Sequence, residues 1–140
     1  MSQLTIEITT PERTVFKDIV DAATIPTTEG EITVLPHHVP VVSLLAPGAL
    51  VLKKGKTETD IAVSRGFVHV EDGAHILILA DSADRAEELD LRTIEEAKER
   101  AQRVMKERGR QEDTAFADAA AALERELARL KVVRRRHKKL

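Results

Sequence analysis

The chain contains no cysteine, no tryptophan and no tyrosine, and only three phenylalanines in 140 residues. Without thiols there are no disulfides and no thiolate zinc sites, and a reducing compartment is the natural setting. Without aromatics there are no stacking platforms of the kind that hold single-stranded nucleic acid. Any core must be built from Val, Ile, Leu and Ala. No stretch approaches the ~18–20 apolar residues that span a bilayer. The opening MSQLTIEITT has no basic region followed by an apolar run, so it does not read as a signal peptide. A soluble chain is expected, one still free to dock on something embedded in a membrane. There is no glycine-rich phosphate loop. Nor is there a nucleophile–base–orienter set or a metal-ligand cluster, so an enzyme is not expected.

What is present is 42% hydrophobic and 33% charged residues, enough for one ordinary domain or a small domain plus an appendage. The net charge of −2 hides an asymmetry. Residues 1–88 carry 7 Lys/Arg against 14 Asp/Glu, and residues 89–140 carry 15 against 10. Opposite signs in the two halves imply two parts with different neighbours.

The first part reads in period two. QLTIEIT alternates Leu4, Ile6 and Ile8 with polar residues, as a half-buried strand does. DIVDAATIP, EITVLP, VPVVSLL, GALVLKK, TETDIAVS, GFVHVED and AHILILA follow as further strand candidates. Turn signals separate them at Thr10-Pro11, Glu29-Gly30, Ala46-Pro47-Gly48, Lys54-Gly55, Arg65-Gly66 and Asp72-Gly73-Ala74. Many short strands at this spacing predict a β-sandwich or barrel. Asp72-Gly73 is the strongest hairpin signal, because glycine adopts positive φ without steric penalty.

Near Asp90 the period changes. Leu91, Ile94, Ala97, Ala101 and Val104 form one helical stripe, with Asp90 as N-cap and Gly109 as the C-terminal stop. After a short link, a second helix capped by Asp113 or Thr114 is predicted with a stripe of Phe116, Ala120, Leu123, Leu127 and Leu130. So short a link makes the helices antiparallel. Their facing residues are largely alanine, which buries little area at ~25 cal/mol per Å². Such a hairpin is marginal alone and should lean on the sandwich or on a partner. The expected architecture is therefore α+β in two parts: an all-β sandwich over residues 1–88, then an antiparallel two-helix hairpin over 89–140.

Several of these segments carry a resemblance. GEITVLPHHVPVVSLLAPGAL resembles the Gly-Glu-(apolar)-Gly-(apolar)-(apolar)-Pro-x-His-Ala-Pro-Leu segment of the epsilon subunits of F-type ATP synthases. LADSADRAEELD looks like that family's junction between sandwich and helices, and EEAKERAQR and ELARLKVV look like its two helices. The likeness runs in order along essentially the whole chain. It implies a non-catalytic subunit of a rotary, proton- or sodium-driven synthase, peripheral on the cytoplasmic face of a bacterial membrane. The implied partners are the gamma subunit, the c-subunit ring and the beta subunits. It also implies a hairpin that either folds on the sandwich or extends and blocks ATP hydrolysis.

The resemblance assigns expected roles to particular residues. Glu31 and His38 match positions at the stalk and c-ring contact; by spacing alone Glu31 reads first as a solvated turn acid, and only the resemblance brings the contact role level with that reading. Metal binding by the adjacent His37 and His38 is not expected, since neighbouring side chains diverge and no further ligand has suitable spacing. Arg134, Arg135, Arg136, Lys138 and Lys139 have the charge to meet acidic helices of the beta subunits, or else form a disordered basic tail. Some members bind a regulatory ATP across the folded hairpin. Leu89-Asp90 and Ala97, Arg100 and Ala101 match the two ends of that family's motif, Arg125 and Arg129 match its pair on the second helix, and Asp84 completes the set. Arg125 and Arg129 stand at i and i+4 and so project from one face, with Arg100 opposite. The motif's Arg-Ala is here Thr93-Ile94, and Arg92 is ~100° away around a helix and cannot replace it. The other reading of these arginines is solvation or pairing with Glu95, Glu96 and Glu124. No cofactor is required on either reading. The competing function, a small nucleic-acid binder using the basic tail, lacks a helix-turn-helix, zinc finger or aromatic-bearing sheet to support it.

Overall fold

The computed structural model describes residues 3–72, 74–109 and 114–139, with residues 138 and 139 described without their side chains. Ten strands come first: β1 Leu4–Thr9, β2 Thr14–Val20, β3 Ala22–Thr27, β4 Gly30–Val34, β5 Val41–Leu45, β6 Gly48–Lys54, β7 Thr57–Val63, β8 Gly66–Glu71, β9 His75–Ala80 and β10 Ala83–Arg85. A single 3-10 turn, Ala86–Glu88, leads to helices α1 Leu91–Arg108 and α2 Thr114–Lys139. The strands hydrogen-bond in the order β10-β7-β6-β3-β5-β8-β9-β1-β2, with β4 attached to β3. Every described pairing is antiparallel except β1 with β9. β3 meets β5 through only Thr27 and Leu45, so the sheet folds there into two layers. Its far strand β2 returns to β6, where Lys54 pairs with Asp18 at 3.2 Å and Asp21 N–H donates to Lys53.

The alternation in the sequence drives this. Leu4, Ile6 and Ile8 are fully buried while Thr5, Glu7 and Thr9 are not. Ile25, Leu50, Leu52, Ile61, Ile76 and Ile78 meet them in one aliphatic core. All six turn signals fall at strand ends or the links between them, although Gly73 itself lies outside the described residues. DIVDAATIP is not one strand: it breaks at Asp21, between β2 and β3. The Asp21 carboxylate accepts the Gly55 N–H at 2.6 Å, which lowers its pKa and fixes the chain as it crosses between layers.

Both ends of α1 follow the sequence. Asp90 accepts the Arg92 N–H, and Gly109 sits at φ 62° in the left-handed region. Asp113, the other proposed cap of α2, lies outside the described residues. The predicted stripe of α2 is only partly the buried one. Leu127 is 46% exposed, while Ala119, Glu126, Ala128, Leu130, Val132 and Val133 are buried. The physical reason is that α2 packs on two surfaces. Leu130 and Val133 meet Ile94 of α1. Val132 meets Ala49 of β6, Ala62 of β7 and Ala86, whose small side chains let the helix lie close to the sheet. At ~1.5 Å per residue, the 26 residues of α2 outrun the 18 of α1 by ~12 Å. That overhang carries the basic end, helical to Lys139 rather than an unstructured tail, across β6 and β7.

Gly66 is fixed by close approach of β8 to β9. A Cβ there would overlap the Leu79 carbonyl oxygen and stand 2.9 Å from Ala80 Cα. Gly66→Ala is expected to destabilise the sandwich by roughly 3 kcal/mol, the upper range for overpacking. Urea unfolding of the variant checks this.

Candidate interaction sites

The arginines singled out in the sequence converge between the helices. An open cleft of 670 Å³ is lined by Ala97, Arg100 and Ala101 of α1 and by Arg125, Glu126 and Arg129 of α2, among others. The alanines leave this space open because their side chains do not reach across it. Arg129 reaches out of the cleft to the sandwich. Its Nε donates to Asp84 Oδ2 of β10 at 2.8 Å, and its Nη1 donates to Glu126 Oε2 at 2.7 Å. Glu126 is only 5% exposed. Asp84 thus joins this group, and Asp90 does not: its carboxylate accepts Arg92 N–H and Thr93 Oγ1–H at the start of α1. Arg92 pairs with Glu96 at 3.3 Å on the exposed surface and is absent from the cleft lining, so it does not replace the missing motif arginine.

Two further ion contacts tie α2 down. Arg65, in the β7–β8 turn, donates through two nitrogens to Glu124 at 2.9 and 2.7 Å, and this carboxylate raises the guanidinium's pKa. Near the helix end, Arg135 Nε lies 3.6 Å from Asp60 Oδ2 and Nη2 lies 4.0 Å from Glu58 Oε1. The Asp60 side chain is only 3% exposed. Glu124, Ala128, Val132 and Arg135 recur at helical spacing and make up the face of α2 turned to the sandwich. The basic end is therefore divided. Arg135 faces the sheet, Arg134 and Arg136 are exposed, and the side chains of Lys138 and Lys139 lie outside the described residues.

On the opposite layer the sandwich presents an apolar face that was not singled out in the sequence. Leu44, Phe67 and Leu79 are cross-strand neighbours on β5, β8 and β9, all exposed. Val42, 73% exposed, extends the patch beside His69. A signal existed: AHILILA places large apolar residues on both faces of one strand, which water alone does not favour. Glu31, on β4, is exposed. His38 lies in the loop after it, where His37 has φ 71° and the His38 Nδ1–H donates to Val39 O at 2.7 Å. Exposed Leu35 and Val39 flank this loop.

The chain is thus a two-part protein, a sandwich with an apolar outer face carrying a charge-tethered helical hairpin. A family profile described as "ATP synthase, Delta/Epsilon chain, beta-sandwich domain" matches residues 3–86. The ATP synthase epsilon chain of Dehalococcoides mccartyi is 41% identical over 138 residues, covering 99% of this chain and 97% of that one. The epsilon chain of Halalkalibacterium halodurans is 38% identical over 135 residues, covering 96% and 100%. A chain in the cryo-EM structure of the Euglena gracilis mitochondrial ATP synthase superposes with a TM-score of 0.73 at 31% identity, covering 89% of this chain and 77% of that one. The chain belongs to the ATP synthase epsilon chain family, whose members are non-catalytic subunits of the central stalk.

Among the helix ends, Asp90 gives the cleanest test of a purely local role. Asp90→Ala is expected to weaken α1 by about 1 kcal/mol through loss of the cap. Faster amide exchange confined to the first turns of α1 would show it.

Proposed function

We propose that this chain seats its sandwich on the central stalk of a rotary ATP synthase and uses its hairpin as a two-position brake on ATP hydrolysis. The observation that carries the reading is the exposed row Leu44, Phe67 and Leu79 with Val42 beside it, a face suited to an apolar protein partner. The partner proposed for it is the gamma subunit. The loop carrying His38, with exposed Leu35 and Val39 and the nearby carboxylate of Glu31, is proposed to meet the c-subunit ring. No described helix is long and apolar enough to cross a membrane, so attachment at the cytoplasmic face of a bacterial membrane runs through these contacts.

The brake rests on how α2 is held. Its seam with α1 is mostly alanine, and much of its grip on the sandwich is ionic. Inverting a 1:99 population requires about 5.5 kcal/mol of differential binding. Acidic beta-subunit helices meeting Arg134, Arg135, Arg136, Lys138 and Lys139 supply part of it, and Arg135 must first leave Asp60. The domain division at Glu88 follows the roles: residues 1–88 dock, and residues 89–140 regulate. Truncation after Glu88 is expected to leave assembly intact and to relieve inhibition of hydrolysis; unchanged hydrolysis in the truncated complex would count against the brake. Replacing Leu44 and Phe67 together by Glu should abolish co-purification with the stalk while the isolated chain keeps its fold. Retained co-purification would place the seat elsewhere.

A further inference from the structure

The family resemblance implies a regulatory nucleotide on Asp84, Asp90, Arg100, Arg125 and Arg129. The side chains present do not fit a polyphosphate well. Arg129, the arginine best placed to bridge hairpin and sandwich, already donates to two carboxylates, Asp84 at 2.8 Å and Glu126 at 2.7 Å. Glu126 is buried in the wall of the cleft, and Asp118 lines the same cleft. A phosphate brought to Arg129 would meet an acceptor-only carboxylate in a poorly solvated place, where like charges repel most strongly. Asp90 is engaged at the helix cap, and Thr93 stands where the motif has arginine.

We propose that Asp84 and Glu126 are resident counter-ions that occupy the place of nucleotide phosphate, so that the hairpin docks on the sandwich without nucleotide. Each carboxylate satisfies a different edge of the guanidinium. Asp84 comes from β10, so its contact closes only when α2 lies on the sandwich; Glu126 comes from one turn earlier on α2 and holds the guanidinium aimed at Asp84. Arg135 completes the hold six residues on, against Asp60 of the neighbouring strand β7. Two arginines of one helix thus land on two acidic residues of adjacent strands. The sandwich offers α2 the same chemistry as an acidic partner would, and the two compete for it. This rests on the two-position reading above, but its test uses the isolated full chain and needs no assembly.

The chain's lack of cysteine makes the experiment direct. Lys53→Cys and Ala121→Cys, both at exposed positions, accept a donor–acceptor dye pair that reports docking, and calorimetry reports MgATP binding. In the otherwise unaltered chain the dyes should report one docked state that MgATP leaves unchanged, with no measurable heat of binding. Asp84→Asn combined with Glu126→Gln should raise the undocked fraction at least tenfold. It should also free Arg129, so that MgATP now binds and restores docking. Circular dichroism of the variant checks that the sandwich persists, as expected. Tight MgATP binding by the unaltered chain would overturn the proposal, and so would a double variant that stays docked. A variant that opens but gains no MgATP response would overturn the counter-ion role. Retained co-purification of the Leu44 and Phe67 variant with the stalk would overturn the proposed seat and leave the counter-ion role untouched, which separates the two claims.

Discussion

The ion contact between Arg129 and its two carboxylates is the constraint on which the arrangement of this molecule turns. It joins the last short strand to the second helix, across a gap that the alanines of the hairpin do not fill. An apolar anchor of similar position would bury more surface and hold more firmly. A charge contact at the edge of the sheet holds with modest net energy, because desolvation offsets much of the attraction. Removing Arg129 would leave Glu126 buried without its partner. Such a contact is specific in position and limited in strength, which suits an element with two resting places.

The two halves are built on different physics. The sandwich closes an aliphatic core in which Leu4, Ile6, Ile8, Ile76 and Ile78 are fully buried, and the parallel pair β1 and β9 supplies all five of them. Its stability is a matter of area removed from water. The hairpin has few such residues: Ile94, Leu130 and Val133 near its base, and Val132 on the sheet. Beyond these, the cleft between the helices is lined mainly by alanine and charged side chains, with Val104 among them. An unequal pair of this kind lets one part stay fixed while the other moves.

Much of this was legible in the residues. Period-two alternation located most strands, turn dipeptides separated them, and Asp90 and Gly109 bounded the first helix because caps are local chemistry. The likeness carried by GEITVLPHHVPVVSLL pointed to the family. What remained hidden was non-local. Nothing near Ala49 or Ala62 says that a helix will lie on them; their small size matters only once Val132 arrives. Glu126 was not among the acids singled out beside these arginines, and its burial shows only once the helices are packed. Asp84 and Arg129 are 45 positions apart. Leu127 was placed in the stripe because a single-faced helix would bury it, and α2 has two buried faces offset around its axis. Cutting DIVDAATIP at Asp21 needed the partner N–H of Gly55, which no local pattern contains.

Amide hydrogen exchange on the free full-length chain addresses the central claim, that a firmly packed seat carries a loosely fastened pair of helices. Amides of α1 and α2 are expected to exchange at least about tenfold faster than those of β1 and β9, opening as one unit well below the free energy of global unfolding. Equal protection across both halves would contradict the account.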